Sequence, residues 1–109
     1  MKLWLDDQCH DPALPRRWAP DGWIGVETPL ECIRYLSKGN VEAISLDMDL
    51  GPRGGENGGY TDALWIEKNA TLNGFKVPEY VEIHSANPVQ RDKSIAALRK
   101  FATVVVRSV

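Results

Sequence analysis

The sequence predicts an α/β fold built around a parallel sheet, and three observations lead to this prediction. Short apolar runs of strand length recur along the 109 residues. Segments with helical start and stop signals separate most of these runs, and strands that alternate with helices favour parallel pairing through crossover connections. A content of 43% hydrophobic and 26% charged residues is typical of a globular chain. We therefore expect a single domain over residues 1–109.

The predicted strands are short runs rich in apolar and β-branched residues, bounded by glycine, proline or polar residues. They are Lys2–Asp6, Trp23–Glu27, Val41–Leu50, Glu79–His84 and Thr103–Val106. Between the first two, Pro12, Pro15 and Pro20 oppose a regular helix. We expect a long irregular loop there.

The first predicted helix has clear signals at both ends. Thr28 is a suitable N-cap, Pro29 suits the first helical position, and Glu31 completes a capping box. The helix is expected to run to about Lys38, where Gly39 supplies a left-handed C-cap. Its expected apolar stripe consists of Leu30, Ile33 and Leu36.

Two further helices are predicted. One runs over Tyr60–Leu72 and stops at Asn73-Gly74, and the other opens with the cap residue Asn87 followed by Pro88. The residues expected to anchor the last helix are Ile95, Leu98 and Phe101. The glycine-rich segment Gly51–Gly59 is expected to be a mobile loop that closes over ligand.

Polar side chains follow three of the predicted strands. Asp6 and Asp7 come directly after the first strand, Asp47 follows the third, and His84–Asn87 end the fourth. Ligands of open parallel sheets gather outside the carboxyl ends of the strands, and clustered carboxylates are the ligands that Mg²⁺ or Mn²⁺ prefers. Without metal the acids would repel one another, which predicts a higher melting temperature for Asp47→Asn. The alternative is structural, with each acid capping a turn or facing water.

Linked motifs along the chain carry a resemblance to a known family. They are Leu3–Asp7 (LWLDD), Ser45–Leu50 (SLDMDL), Gly59-Tyr60, Trp65–Glu67 and His84–Pro88 (HSANP), with Arg91. They resemble the receiver domain of response regulators and, more closely, the receiver-derived cyclic-phosphate-processing receiver domains of bacteria and phages. The resemblance implies a receiver-like (flavodoxin-type) five-stranded parallel sheet of order 2-1-3-4-5. Relative to a receiver, the first and fifth helices are expected to be lost.

The resemblance also implies a function, namely a Mg²⁺- or Mn²⁺-dependent phosphoester-processing enzyme acting on 2′,3′-cyclic phosphates or cyclic nucleotides. The implied metal ligands are Asp6, Asp7 and Asp47. The implied phosphate-binding residues are Ser85, Asn87 and Arg91. The implied catalytic residues are His84, His10 and Asp47. A second hypothesis is a non-catalytic receiver-like module that binds a phosphorylated ligand or docks on a protein partner.

Two departures from the receiver pattern argue against ordinary phosphotransfer signalling. No lysine ends the last strand, where a receiver carries its phosphate-binding lysine, and Arg107 is the nearest cation. Met48 stands where the closer family is expected to carry histidine. The remaining polar residues also have alternative interpretations, some of them without a role in the site. His84 alternates away from Ser85 and could bond beneath the sheet, and Arg91 could be surface charge. His10, in the irregular loop, could swing over the acidic edge.

Charge and composition limit the partners. A net charge of −2 gives little attraction to nucleic acid, and no apolar run is long enough for a leader or a membrane span. We expect a cytoplasmic protein with a small phosphorylated or nucleotide ligand. Cys9 and Cys32 are interpreted as free thiols, and a soft-metal site at Cys9-His10-Asp11 is a minor alternative because no second ligand cluster accompanies it.

Strand alternation predicts two unlike sheet faces. One carries residues such as Leu3, and the other carries more polar residues, together with Trp4 and Tyr80. We expect the second face to lack helical cover, and to be closed by the proline-rich loop, by a second copy in a homodimer, or by both. Trp18 and Trp23 are expected to fold over Trp4 and Tyr80.

Overall fold

The computed structural model describes residues 1–47, 59–84 and 88–107. The strands are β1 (Lys2–Leu5), β2 (Ile24–Val26), β3 (Ala43–Leu46), β4 (Tyr80–His84) and β5 (Val104–Arg107). The helices are α1 (Pro29–Leu36), α2 (Gly59–Leu72) and α3 (Pro88–Leu98), and a 3₁₀ turn occupies Pro15–Arg17. Every predicted strand and helix is present. Most of the predicted glycine-rich loop, and residues 48–50 of the third predicted strand, lie outside the described residues.

The five strands form one parallel sheet in the order β2-β1-β3-β4-β5, as the resemblance implies. Residues in register form rows across the sheet, and the rows alternate in character. One apolar row is Ile24, Leu3, Ile44, Val81 and Val104. The next row is Gly25, Trp4, Ser45, Glu82 and Val105. Since neighbouring rows point to opposite faces, the sheet has one apolar and one polar face.

The three helices pack on the apolar face. Their buried side chains form one cluster with the strand residues of that face. The helical members with no exposed surface are Cys32 and Leu36 of α1, Ala63 and Ile66 of α2, and Leu98 of α3. Burial of this continuous apolar surface is the main stabilising contribution to the fold.

The start of α1 is confirmed, but the helix ends at Leu36 with Ser37 as its C-cap instead of running to about Lys38, and its predicted apolar stripe is wrong in part. The Thr28 hydroxyl accepts a hydrogen bond from the Glu31 amide at 3.2 Å, and Gly39 has a φ of 82°. Leu30, however, is 59% exposed, whereas Pro29, Cys32 and Leu36 are the buried residues. At 3.6 residues per turn these three share one face, and Leu30 is turned about 100° away from Pro29.

The prediction for α3 is correct for two of its three anchors. Ile95 packs against the core and Leu98 is fully buried. Phe101 is 37% exposed because α3 ends at Leu98, so helical spacing no longer determines where Phe101 points. No helix among the described residues is long and apolar enough to cross a membrane.

The polar face is covered by the loop between β1 and β2 and, in the part of the chain that the structure describes, by no helix. Trp23 packs edge-to-face on Trp4 at 6.3 Å and on Tyr80 at 6.4 Å between ring centroids. The Trp4 indole N–H donates to the carbonyl of Arg17 at 2.9 Å. The prediction for Trp23 is therefore confirmed. Trp18 is 46% exposed and donates to the Asp11 carbonyl, so its predicted packing is wrong.

Candidate functional site

A row of polar residues ends the polar face at the carboxyl edge of the sheet. The amide of Asp6 donates to Val26 of β2 and that of Asp47 donates to Leu5 of β1, so parallel pairing continues past the strand ends. One position beyond the Leu5, Leu46 and Ile83 row, this places Asp6, Asp47 and His84 side by side. The three side chains are buried, and each has a donor atom within 4.8 Å of the others. Sheet register alone brings them together.

The side chain of Arg17 hydrogen-bonds to two acids of this row. Its Nε donates to Oδ2 of Asp6 and its Nη2 donates to Oδ2 of Asp47, both at 2.7 Å. The guanidinium side chain is 19% exposed, whereas the two carboxylates are 0% and 1% exposed. One cation therefore bridges two buried anions.

The pKa values of this group reflect that pairing. Burial acts to raise the pKa of Asp6, but hydrogen bonds from His84, Arg17 and the Gln8 amide outweigh burial and leave it below its ordinary value. Burial acts to lower the pKa of Arg17, but Asp6, Asp47 and Asp7 raise it above its ordinary value. Both partners are charged at neutral pH, so Asp6 and Arg17 form an ion pair.

His84 lies beneath Arg17, flat against an indole. Its ring stacks on Trp4 at 3.8 Å between centroids with an angle of 9° between the planes. Nδ1 lies 2.7 Å from the Ser45 hydroxyl oxygen, and Nε2 lies 3.3 Å from Oδ2 of Asp6. Burial lowers the pKa of His84, although Asp6 opposes that effect. His84 therefore bonds beneath the sheet edge, as one alternative drawn from the sequence expected, and it also contacts an acid of the site.

The neutral ring has one proton and two acceptors for it. If Nδ1 donates to Ser45, the Ser45 hydroxyl is free to donate to Oε1 of Glu82, 2.8 Å away. In the other tautomer Nε2 donates to Asp6 and Nδ1 accepts the hydroxyl proton of Ser45. Ser45 then no longer donates a hydrogen bond to Glu82. The two tautomers of His84 therefore satisfy different acids, Glu82 through Ser45 in one and Asp6 directly in the other.

Glu82 extends this network away from the site. Its Oε2 accepts from the Tyr80 hydroxyl at 2.6 Å, and its Oε1 lies 3.3 Å from Nε of Arg107. The Arg107 guanidinium also lies over the Trp4 ring at 5.6 Å. Nearly every polar group on this face is thus held by another, and the position of His84 is set by several contacts at once.

The other predicted site residues have different locations. Asp7 is partly buried next to the cluster, where its charge acts on Arg17. His10 is exposed, with Nδ1 3.0 Å from Glu27, so the structure places it beside β2 and away from Asp6 and Asp47. Arg91 on α3 is 32% exposed and lies 3.6 Å from Asp92. The remaining residues, Ser85, Asn87 and Met48, lie outside the described residues.

Sequence reasoning did not find three residues of the site. Arg17 comes from a loop without periodicity, so no sequence signal places its guanidinium. Ser45 and Glu82 could have been found, because strand alternation puts them on the same face as Asp47 and His84.

The strand order and the acids at the ends of β1 and β3 agree with one family. Residues 1–100 match the model of the cyclic-phosphate processing receiver domain. The chain belongs to this family. No curated protein and no solved structure matches the chain. In this chain Arg17 bridges Asp6 and Asp47, the acids that follow β1 and β3.

The donor set fits a divalent cation on one condition, that Arg17 moves away from the carboxylates. Asp6 and Asp47 supply hard carboxylate oxygens, and Asp7 lies beside them. The guanidinium of Arg17, however, holds Oδ2 of both acids. A metal that used these oxygens would require Arg17 to move outward, toward solvent, where its side chain is already partly exposed.

Proposed function

We propose that this protein is a Mg²⁺- or Mn²⁺-dependent phosphoester-processing enzyme that acts on a cyclic phosphate, either a 2′,3′-cyclic phosphate or a cyclic nucleotide. The observation that carries the proposal is the buried pair Asp6 and Asp47, closed by the single guanidinium of Arg17. The two carboxylates would hold a divalent cation once Arg17 moves from them, and Arg17 would then be available to bind phosphate. The family, which is associated with cyclic-phosphate processing, supports the same substrate class.

Arg17 is the residue that would bind the phosphate in this scheme. Its planar donors match two oxygens of a phosphodiester as well as they match the two carboxylates. Asp6, Asp47 and Asp7 would hold the divalent cation, and the guanidinium of Arg17, no longer bound to both carboxylates, would then be available to an anion. Ser85, Asn87 and Arg91 remain the further phosphate-binding residues that the sequence assigns. The cation would act as a Lewis acid on a phosphoryl oxygen.

His84 would handle the proton of the reaction. Opening a cyclic phosphate with water breaks one P–O bond, adds hydroxide to phosphorus and delivers a proton to the leaving oxygen. Nε2 of His84 faces Asp6 at the edge of the site, and Ser45 with Glu82 holds the ring from the other side. In this scheme the Asp6–His84 pair would take a proton from the attacking water and return a proton to the leaving oxygen, with Nε2 of His84 as the exchanging atom. His10 is assigned no step here, because it lies beside Glu27.

A second function, a module that binds a phosphorylated ligand without turnover, is favoured by one specific observation. Arg17 already neutralises part of the acidic pair, so the described arrangement does not need a metal to be stable. A phosphate could then compete with the two carboxylates for the guanidinium, and binding would require neither cation nor chemistry.

Incubation with nucleoside 2′,3′-cyclic phosphates and Mg²⁺, followed by chromatography, separates the two functions. We expect ring-opened product from the wild type and a loss of roughly 100-fold or more for His84→Gln and Asp47→Asn. Asp21→Asn, an exposed change in the same loop as Arg17, is the control and should keep full activity. Saturable binding without product, in the presence of Mg²⁺ or Mn²⁺, would favour the binding module.

Metal binding is tested separately by thermal shift. We expect Mg²⁺ to raise the melting temperature of the wild type, and to raise that of Arg17→Met by more, because no guanidinium then competes for Asp6 and Asp47. Asp47→Asn should lose most of the shift. Equal shifts in all three proteins would place the metal elsewhere.

A further inference from the structure

A second group of ligating side chains lies at the other side of the β1–β2 loop, away from Arg17. Nδ1 of His10 is 3.5 Å from Sγ of Cys9 and 3.0 Å from Oε2 of Glu27. All three donor atoms lie within 4.8 Å of one another. A thiol, an imidazole nitrogen and a carboxylate oxygen thus converge on one point, contributed by the start of the loop and by the residue after β2.

The backbone around this group keeps the donors together. The Cys9 amide donates to the Asp6 carbonyl at 3.1 Å, which turns the chain back over β2. The Cys9 thiol packs over Gly25 in the middle of that strand. A Cβ at Gly25 would lie 3.0 Å from the Cys9 sulfur and 3.5 Å from Nε2 of His10, so the absence of a side chain provides the room.

One donor distance matches that of a tetrahedral zinc site, a second is close to it, and the sulfur and the Glu27 oxygen lie within 4.8 Å of each other. Zinc bonds of about 2.3 Å to sulfur and about 2.0–2.1 Å to nitrogen or oxygen place tetrahedral ligands roughly 3.4–3.6 Å apart. The sulfur–nitrogen distance is 3.5 Å, and the nitrogen–oxygen distance of 3.0 Å needs to open by only a few tenths of an ångström. We propose that Cys9, His10 and Glu27 form a Zn²⁺ site that fastens the loop to β2.

Zinc binding at this site balances in charge and protons. The cation replaces the thiol proton of Cys9, which is released to solvent, and it binds Nδ1 of the neutral His10 ring, whose proton is then on Nε2. The thiolate and the Glu27 carboxylate together neutralise the two positive charges. The fourth position is left for water. Cys9 is buried, but the side chains of His10 and Glu27 are 63% and 43% exposed, so the metal can enter from solvent.

This site differs in chemistry from the acidic one. Asp6 and Asp47 offer hard oxygens already held by Arg17, whereas Cys9 and His10 supply the sulfur and nitrogen that zinc prefers over magnesium. The proposal therefore does not depend on the enzymatic function above. Its consequence is structural, because the loop between Cys9 and Glu27 is the one that carries Arg17 over the sheet.

Cobalt titration of the reduced, metal-free full chain tests the proposal without an activity assay. We expect one equivalent of Co²⁺ to produce the visible bands of a tetrahedral centre and the near-ultraviolet charge-transfer band that requires a thiolate ligand. One equivalent of Zn²⁺ should remove both signals. Cys9→Ser should abolish the charge-transfer band, while Cys32→Ala, which removes the other thiol, should leave it in place.

Two surface variants keep the test decisive if a buried change impairs folding. His10→Gln and Glu27→Gln alter exposed side chains, and each should weaken zinc binding by roughly tenfold or more. Asp47→Asn, which disturbs only the acidic site, should retain full cobalt spectra. A missing thiolate band in the wild type, or one that survives Cys9→Ser, would overturn the proposal, as would affinities unchanged by both surface variants. The contact between His10 and Glu27 would then be a surface ion pair.

Discussion

The two faces of the sheet are held by different physical means. On the helical face, residues such as Leu3 and Ile83 are fully buried among other apolar side chains. On the opposite face, Trp4, Ser45 and His84 are just as buried but are held by rings and hydrogen bonds. Apolar packing tolerates small displacements, whereas a hydrogen-bond network fixes particular atoms at particular distances. The polar face therefore has the precision that a chemical site needs.

The largest stability effect is expected from Arg17→Met on the polar face. Removing the guanidinium leaves Asp6 and Asp47 buried without a cation, which should cost about 3–5 kcal/mol of unfolding free energy at neutral pH. The loss should shrink on acidification. The lowered pKa of Asp6 contributes stability that is present above its unfolded value near 3.8 and disappears as pH falls through the folded value. Urea unfolding at pH 7 and at pH 3 measures both effects, and an equal loss at the two values would contradict this account.

The same pairing reverses an expectation drawn from the sequence. Repulsion among unpaired acids predicts that Asp47→Asn melts higher without metal. Because Arg17 bridges the two acids, the carboxylate of Asp47 is attracted at 2.7 Å, and we now expect the variant to melt lower.

On the helical face, Leu3→Ala should destabilise by about 2–5 kcal/mol, since Leu3 is fully buried in the centre of the sheet. Unlike the loss in Arg17→Met, this loss should be the same at pH 7 and at pH 3. Urea titrations of both variants at both pH values compare the unfolding free energy lost on the two faces. Leu30→Ala, an exposed change on α1, is the control and should be close to neutral. A pH-dependent loss in Leu3→Ala would mean that the faces are not independent.

Asp62 is a buried acid on the otherwise apolar helical face. Both carboxyl oxygens of Asp62 on α2 lack a hydrogen-bond partner within the described residues, and burial raises its pKa well above the ordinary value, with the Cys32 thiol opposing weakly. A raised folded pKa means that stability falls as pH rises above about 3.8, because only the unfolded chain loses its proton there. Asp62→Asn should therefore stabilise by about 1–3 kcal/mol at pH 7 and by little at pH 4. Asp92→Asn, on the surface, should show no such pH dependence.

The smallest effect is expected from Tyr80→Phe at the outer end of the polar network. The variant loses the 2.6 Å hydrogen bond to Glu82, which should cost about 0.5–1.5 kcal/mol. The imidazole nitrogen chemical shifts of His84 should nevertheless change in this variant. Hydrogen bonds through Glu82 and Ser45 connect Tyr80 to His84. Tyr35→Phe, on the helical side, is the matched control. Unchanged His84 chemical shifts in Tyr80→Phe would show that the hydrogen bonds through Glu82 and Ser45 do not couple the two residues.

Sequence predicts most of the fold here because local signals agree with one another. The cap at Thr28, the glycine at position 39 and the strand alternation through Trp4 and Ser45 each act over a few residues, and the structure confirms them. Sequence also locates Asp6 and Asp47, since strand ends meet at one edge. What it does not predict is the path of an irregular loop. The positions of Arg17, Trp18 and His10 depend on that path, and no periodicity encodes it.

The stacking of Trp4 on His84 has a consequence for spectroscopy. Trp4 is one of four tryptophans, and its indole is in face-to-face contact with an imidazole, whose protonated form quenches indole emission by accepting an electron in the excited state. Trp18 and Trp23 belong to the loop, and Trp65 packs against Phe75 on the helical side. Replacing these three with phenylalanine would leave Trp4 as the one tryptophan, in contact with His84 and Arg107. The site therefore contains its own optical probe, which responds whenever a ligand moves the ring or changes its charge.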